Sequence, residues 1–146
     1  MIYIVIFIYS LLIDEPTWQT SLPKAQLEAS QSGKYILLNF AGSDWCIPCK
    51  RLEKEVFEDP NFIEFAKDNL ILVKADFPRQ KKNQLSESMT RQNEKLAEKY
   101  NPDGIFPYTL ILDAAGHRVA SVEGMPKGST IDFIEKLDNI LHPDKK

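Results

Sequence analysis

Two cysteines, three residues apart, hold the chemistry this sequence can perform. They stand in Trp45-Cys46-Ile47-Pro48-Cys49-Lys50 and are the only two in the 146 residues. Such a pair can close a small disulfide ring and reopen it, so the reaction on offer is thiol–disulfide exchange. The apolar run Tyr35 to Phe40 precedes the pair, and a helix-forming stretch comes after it. Free N–H groups and the dipole at a helix start favour negative charge, which lowers a cysteine pKa and supplies the thiolate nucleophile. Cys46, at the exposed helix start, is the expected attacking thiolate, and Cys49, one turn deeper, the resolving thiol. Pro48 has a fixed φ and no N–H, which suits a first helical turn and stiffens the loop. Trp45 adjoins the sulfur and is expected to shield it while offering apolar surface to a substrate, as is Ile47. The plainer reading of Trp45 is a core tryptophan.

Other uses of the cysteines fit less well. A structural zinc site needs four ligands, and only His117 and His142 could join the pair from distant segments. Covalent haem attachment needs a histidine after the second cysteine, where this chain has Lys50. A permanent structural disulfide stays open, although closing so short a loop restricts the unfolded chain little. No glycine-rich nucleotide fingerprint is present, so no cofactor and no metal are expected.

The elements that must position the pair can be read from hydrophobic pattern and punctuation. Ser21 and Pro23 start a helix that Ser32-Gly33 ends. Tyr35 to Ala41 reads as a central parallel strand because it is apolar without alternation. A helix from about Cys46 to Phe57 turns Cys49, Leu52, Val56 and Phe57 inward. Asp59-Pro60 starts another helix, Leu70 to Ala75 is a second strand, and Phe77 to about Gln84 is a long polar, basic loop. A polar helix runs to Tyr100. Tyr108 to Leu112 and Arg118 to Val122 form a hairpin around Asp113-Ala114-Ala115-Gly116. Ser129 or Thr130 caps a last helix, whose expected apolar face is Ile131, Ile134, Leu137, Ile140 and Leu141. The order implies an α/β fold: a mixed central sheet of about four to five strands with helices on both faces.

Length and charge narrow the class. One domain over 14–146 is expected, with 43% hydrophobic and 27% charged residues, an ordinary globular balance. The net charge is −3, and no basic tract exceeds Arg79-Gln80-Lys81-Lys82, which reads as a solvated loop and argues against nucleic acid as partner. Residues 1–13, MIYIVIFIYSLLI, are an apolar leader, too short to span a membrane as a helix but of the length of a signal-peptide core. No lysine or arginine precedes Lys24 and the first alanine is Ala25, so an uncleaved anchor or a core strand is the other reading. A leader implies export to the periplasm or cell envelope, and a core strand a cytoplasmic location.

Three segments resemble the thioredoxin family, in particular exported bacterial thioredoxin-like proteins with Gly-Ser-Asp-Trp-Cys-x-x-Cys-Lys. They are Phe40 to Lys50, Lys74-Ala75-Asp76-Phe77-Pro78, and Gly104-Ile105-Phe106-Pro107-Tyr108-Thr109, within a similarity spanning about Trp18 to Leu141. The resemblance implies a thioredoxin-like fold and a cis Pro107 facing the disulfide. It also implies that the Phe106 backbone pairs with a bound peptide by strand addition. Two departures stand out. Tyr108 separates Pro107 from Thr109, and Asn39 takes the place of the family's buried aspartate. Asparagine cannot accept a proton at neutral pH, so a slower resolving step is expected unless another group substitutes.

The expected function is thiol–disulfide exchange through Cys46 and Cys49 on protein or small thiol substrates, more as reductase than as oxidase, in a monomer reset by an external redox partner. The alternatives are a non-catalytic binding module using the Phe106-Pro107 groove, and a metal chaperone.

Overall fold

The structure is a computed structural model that describes residues 16–145. The apolar leader at 1–13, and with it the question of export or anchoring, lies outside the described residues. Helix α1 (Leu22–Ser32) starts where the Ser21 hydroxyl accepts from the Lys24 N–H, and it stops at Gly33, whose φ of 72° lies in the left-handed region that glycine adopts without strain. Strand β1 (Tyr35–Ala41) leads to helix α2 (Ile47–Leu52), which widens into a π-type turn over Glu53–Phe57. Helix α3 (Pro60–Asn69) comes next with Asp59 as its N-cap, then strand β2 (Leu70–Asp76). A short 3₁₀ turn at Lys81–Asn83 interrupts the basic loop before helix α4 (Glu87–Tyr100). Strands β3 (Tyr108–Leu112) and β4 (Arg118–Glu123) and helix α5 (Thr130–Leu141) complete the chain.

The strands lie in the order β2-β1-β3-β4, with β1 parallel to β2 and the remaining pairs antiparallel. This is the mixed sheet with helices on both faces that the pattern implies. Central β1 packs on both sides, which explains why its sequence does not alternate. Ile36, Leu38 and Phe40 face α1 and α4 through Leu22, Ala25, Ala29 and Tyr100. Leu37 faces the other layer, where Leu52, Phe57, Phe62, Phe133 and Leu137 meet Leu72 and Ile111. Phe62 is fully buried and packs against the rings of Phe57 and Phe133.

Two local expectations need correction. Of the expected face of α5, Leu137 and Leu141 are buried and Ile134 and Ile140 pack partly buried against the core, but Ile131 is 47% exposed and Phe133 is buried in its place. A strict three-residue spacing drifts off a 3.6-residue helix, and the sheet takes the i, i+4, i+8 stripe instead. The helix after the cysteines is also not uniform to Phe57. Its last five residues are wound as a π turn, and both Val56 and Phe57 remain buried there.

Candidate active site

The end of β1 delivers the chain to the cysteines. Ala41 is its last residue, Gly42 to Trp45 form a tight turn, and the Trp45 and Cys46 N–H groups both donate to the Gly42 carbonyl. A side chain at position 42 would overlap the Trp45 indole, so glycine is what lets the ring lie against the strand end. Cys46 is the N-cap of α2 and Pro48 occupies its first turn. Cys46 and Cys49 are joined as a disulfide, with Cα atoms 5.2 Å apart. The Cys49 N–H donates to Cys46 Sγ at 3.2 Å, so a free amide of the helix start points at the sulfur expected to attack.

Cys46 is less open than the sequence suggests. It is 4% exposed and Cys49 6%, nearly equal, because the bonded sulfurs cluster with Ala41 under Trp45 and Phe106. The indole meets the Phe106 ring edge-on at 5.4 Å between centroids. Ile47 stands out at 71% exposure, and Pro48 is exposed beside it. The Phe106–Pro107 peptide bond is cis, and Pro107 is fully buried. Trp45 and Phe106 therefore cover the disulfide, while Ile47 and Pro48 stand exposed within the short loop between the two cysteines.

Below the disulfide lies a polar row that the sequence showed only in part. Leu37, Asn39 and Ala41 share one face of β1. Asn39 is 2% exposed and its Nδ2 donates to Thr109 Oγ1 at 3.1 Å. Its register partner on β2 is Lys74, whose ammonium is ion-paired with Glu53 from the π turn. Glu53 and Lys74 line a cavity of about 380 Å³ that also reaches Cys49, Ala41 and Lys50. A carboxylate is thus present near Cys49, carried by the helix rather than by the strand. Its sequence signal was its position four residues after Cys49, together with a lysine inside an apolar strand.

The other carboxylates near the motif are engaged locally. Glu55 is paired with Arg51. Asp44 accepts from the Arg79 N–H and the Gln80 N–H, each at 2.9 Å, and from Asn83 Nδ2 at 3.1 Å. These donors, the Arg79 amide foremost, hold its carboxyl below the ordinary aspartate value, with desolvation opposing them. Trp45 Nε1 donates to the Phe77 carbonyl at 2.7 Å, and the Arg79 guanidinium lies 3.6 Å from the indole centroid. Asp76 accepts from the Ser43 N–H and hydroxyl. His117 and His142 sit away from this site, the first in the β3–β4 turn with Asp113 and the second against Asn69.

The family model described as thioredoxin-like matches residues 17–114, two-thirds of the chain and every residue of this site. The chain belongs to the thioredoxin-like family. Its relatives include the disulfide bond reductase DsbH of Chlamydia pneumoniae, 32% identical over 124 residues, which cover 85% of this chain and 72% of that protein. The thioredoxin-related protein DsbJ of the same organism is 28% identical over 90% of this chain but only 37% of its own length. The solved structure of a DsbH oxidoreductase superposes with a TM-score of 0.77 at 29% identity, covering 87% of this chain and 85% of that one. With these relatives and its Cys-x-x-Cys pair, this thioredoxin-like protein is a thiol–disulfide oxidoreductase.

Proposed function

We propose that this thioredoxin-like protein is a disulfide reductase in which Cys46 attacks and Cys49 resolves. The observation that carries this reading is the Cys49 amide aimed at Cys46 Sγ, beside the apolar cover of Trp45 and Phe106. In the reduced protein that amide and the helix dipole would favour a Cys46 thiolate. The thiolate attacks one substrate sulfur, a new S–S bond forms, and the electron pair of the broken bond leaves on the other substrate sulfur, which takes a proton. Cys49 then loses its proton and attacks Cys46 Sγ, releasing the second substrate thiol. Two electrons have passed to the substrate, and an external dithiol must return them.

The proton of Cys49 has a route. The cavity that reaches its sulfur is lined by Glu53 and Lys74, while Asn39 offers no base. The Phe106 backbone beside the cis bond is suited to pair with an extended substrate, and Ile47 and Trp45 would cover its apolar side chains. The reductive direction takes its support from the DsbH relative, which is named a reductase. An exported location is supported by the apolar residues 1–13. The protein would act as a monomer.

Insulin-disulfide reduction under an external dithiol tests the proposal. Wild type should turn over, Cys46→Ser should lose all turnover, and Cys49→Ala should accumulate a mixed disulfide with substrate. Turnover surviving in Cys46→Ser would overturn the assignment of roles. Substrate binding with no turnover in wild type would leave the binding-module reading, for which the apolar cover alone suffices.

A further inference from the structure

The basic tract Arg79-Gln80-Lys81-Lys82 has no part in the exchange chemistry, yet the structure fastens it to the active-site turn. Asp44, two residues before Cys46, takes hydrogen bonds from Arg79, Gln80 and Asn83, and its own carbonyl accepts from Gln80 Nε2 at 3.3 Å. Trp45 binds the Phe77 carbonyl and carries the Arg79 guanidinium on its ring. A stacked guanidinium keeps its N–H edge free for a carboxylate.

The loop keeps a positive excess: three cations stand against Asp76 and the ionised Asp44 held on its amides. From Asp76 to Gln84 the chain has three cations and one carboxylate, in a protein whose net charge is −3. Arg79, Lys81 and Lys82 are exposed, and none forms an ion pair among the described residues. The nearby carboxylates point elsewhere: Asp44 to the loop's own amides and Asp76 to Ser43. A fixed, local reversal of charge thus borders the Trp45 side of the disulfide. Fixed charge at a reaction site raises the encounter rate of the oppositely charged partner.

From these observations we infer that the loop Arg79–Asn83 recognises an acidic polypeptide segment flanking the disulfide of the substrate or redox partner. Resting on the oxidoreductase reading, the inference adds the chemistry of the molecule it acts on. The occupant must bring sulfur to Cys46, so the anionic groups must belong to the same chain as that sulfur. Three cations are too few to hold nucleic acid, whose binding rests on many phosphate contacts. Arg79 would grip the residue nearest the disulfide across the indole, and Lys81 and Lys82 would steer the approach.

The test uses the reduced full chain and two peptides with the same internal disulfide, flanked either by glutamates or by lysines. Stopped-flow rates should favour the glutamate peptide by about tenfold at low salt, the lower end of electrostatic steering. That ratio should fall towards one as ionic strength shortens the Debye length to about 3 Å near 1 M salt. In the double variant Lys81→Glu, Lys82→Glu the ratio should fall to one or invert. It is measured within each variant, so a general loss of activity does not imitate the effect. The salt series on wild type needs no variant at all. A wild-type ratio of one at low salt, or a ratio that charge reversal leaves unchanged, overturns the inference. Failure of wild type to reduce even neutral 2,2′-dithiodipyridine would instead remove the oxidoreductase reading beneath it.

Discussion

Replacing Asn39 by Asp restores a carboxylate to the sheet beneath the disulfide, and the surroundings decide what it does there. Asn39 lies two residues before Ala41 on the same strand face, about 7 Å along the strand, and Ala41 clusters with both cysteines. The Asn39–Thr109 hydrogen bond should survive with its direction reversed, because the threonine hydroxyl that now accepts can also donate. Lys74, the register partner, would attract the new charge but is already paired with Glu53. A carboxylate at a 2% exposed position is therefore incompletely compensated, and burial pushes its pKa up. A raised carboxyl pKa makes a better base at neutral pH, and it also costs stability. We expect a loss of roughly 3 kcal/mol at neutral pH, the scale of a poorly paired buried charge, or about 10 °C in Tm at this chain length. Linkage gives the sign. The folded-state pKa lies above the unfolded one, so the cost grows as pH rises from the unfolded value to the folded one, is complete above it, and vanishes in acid. The kinetic gain should be about tenfold in the resolving step, below the 10²–10⁴ range of a positioned base, because the Glu53 carboxylate already lines the cavity at Cys49. With 2,2′-dithiodipyridine, the first thiopyridone reports attack by Cys46 and the second reports resolution by Cys49. The second phase should accelerate while the first stays put. An unchanged or slower second phase in a folded Asn39→Asp protein would refute the reasoning.

The same experiment on Glu53→Gln should slow the second phase severalfold and spare the first, because it removes the carboxylate in the cavity at Cys49; equal slowing of both phases would argue for a merely structural ion pair. Phe62→Ala should cost about 3–5 kcal/mol in urea unfolding, the usual loss on deleting a fully buried phenylalanine, since its ring sits between Phe57 and Phe133. Asp44, Asp113 and Asp132 are each held below the ordinary aspartate value, chiefly by backbone N–H donors from Arg79, His117 and Ser129 respectively. Stability from depressed carboxyls is present above the unfolded value of 3.8 and lost as pH falls through the folded one. Urea midpoints should thus drop on acidification to about pH 3, and Asp44→Asn should flatten that drop.

The features legible in the sequence were those that one segment specifies by itself. The strand Tyr35–Ala41, the caps Ser21, Asp59 and Ser129, and the cysteine pair at a helix start each rest on a few adjacent residues, and all stand as expected. On α5 the one misread position was Ile131, which satisfied the spacing, whereas packing against the sheet chose Phe133; Ile134, Leu137, Ile140 and Leu141 lie on the core side as expected. Cys46 reads as exposed from its place at a helix start, but its burial depends on Phe106, sixty residues on. The Asp44 staple and the Glu53–Lys74 pair escaped for the same reason. Each joins segments more than twenty residues apart, and the lysine inside the apolar strand Leu70–Asp76 was the one visible mark, without naming its partner. Asn39 was legible as a departure, while the Glu53 carboxylate in the cavity at Cys49 was not.

The proposed catalysis depends on a thiolate at Cys46, and one titration addresses it directly. In reduced Cys49→Ala protein, which has a single thiol, absorbance at 240 nm tracks thiolate formation as pH is raised. The expected midpoint lies well below that of a free cysteine, which is about 8.5, because the helix-start amide and dipole stabilise the charge. A midpoint at or above the free value would contradict it.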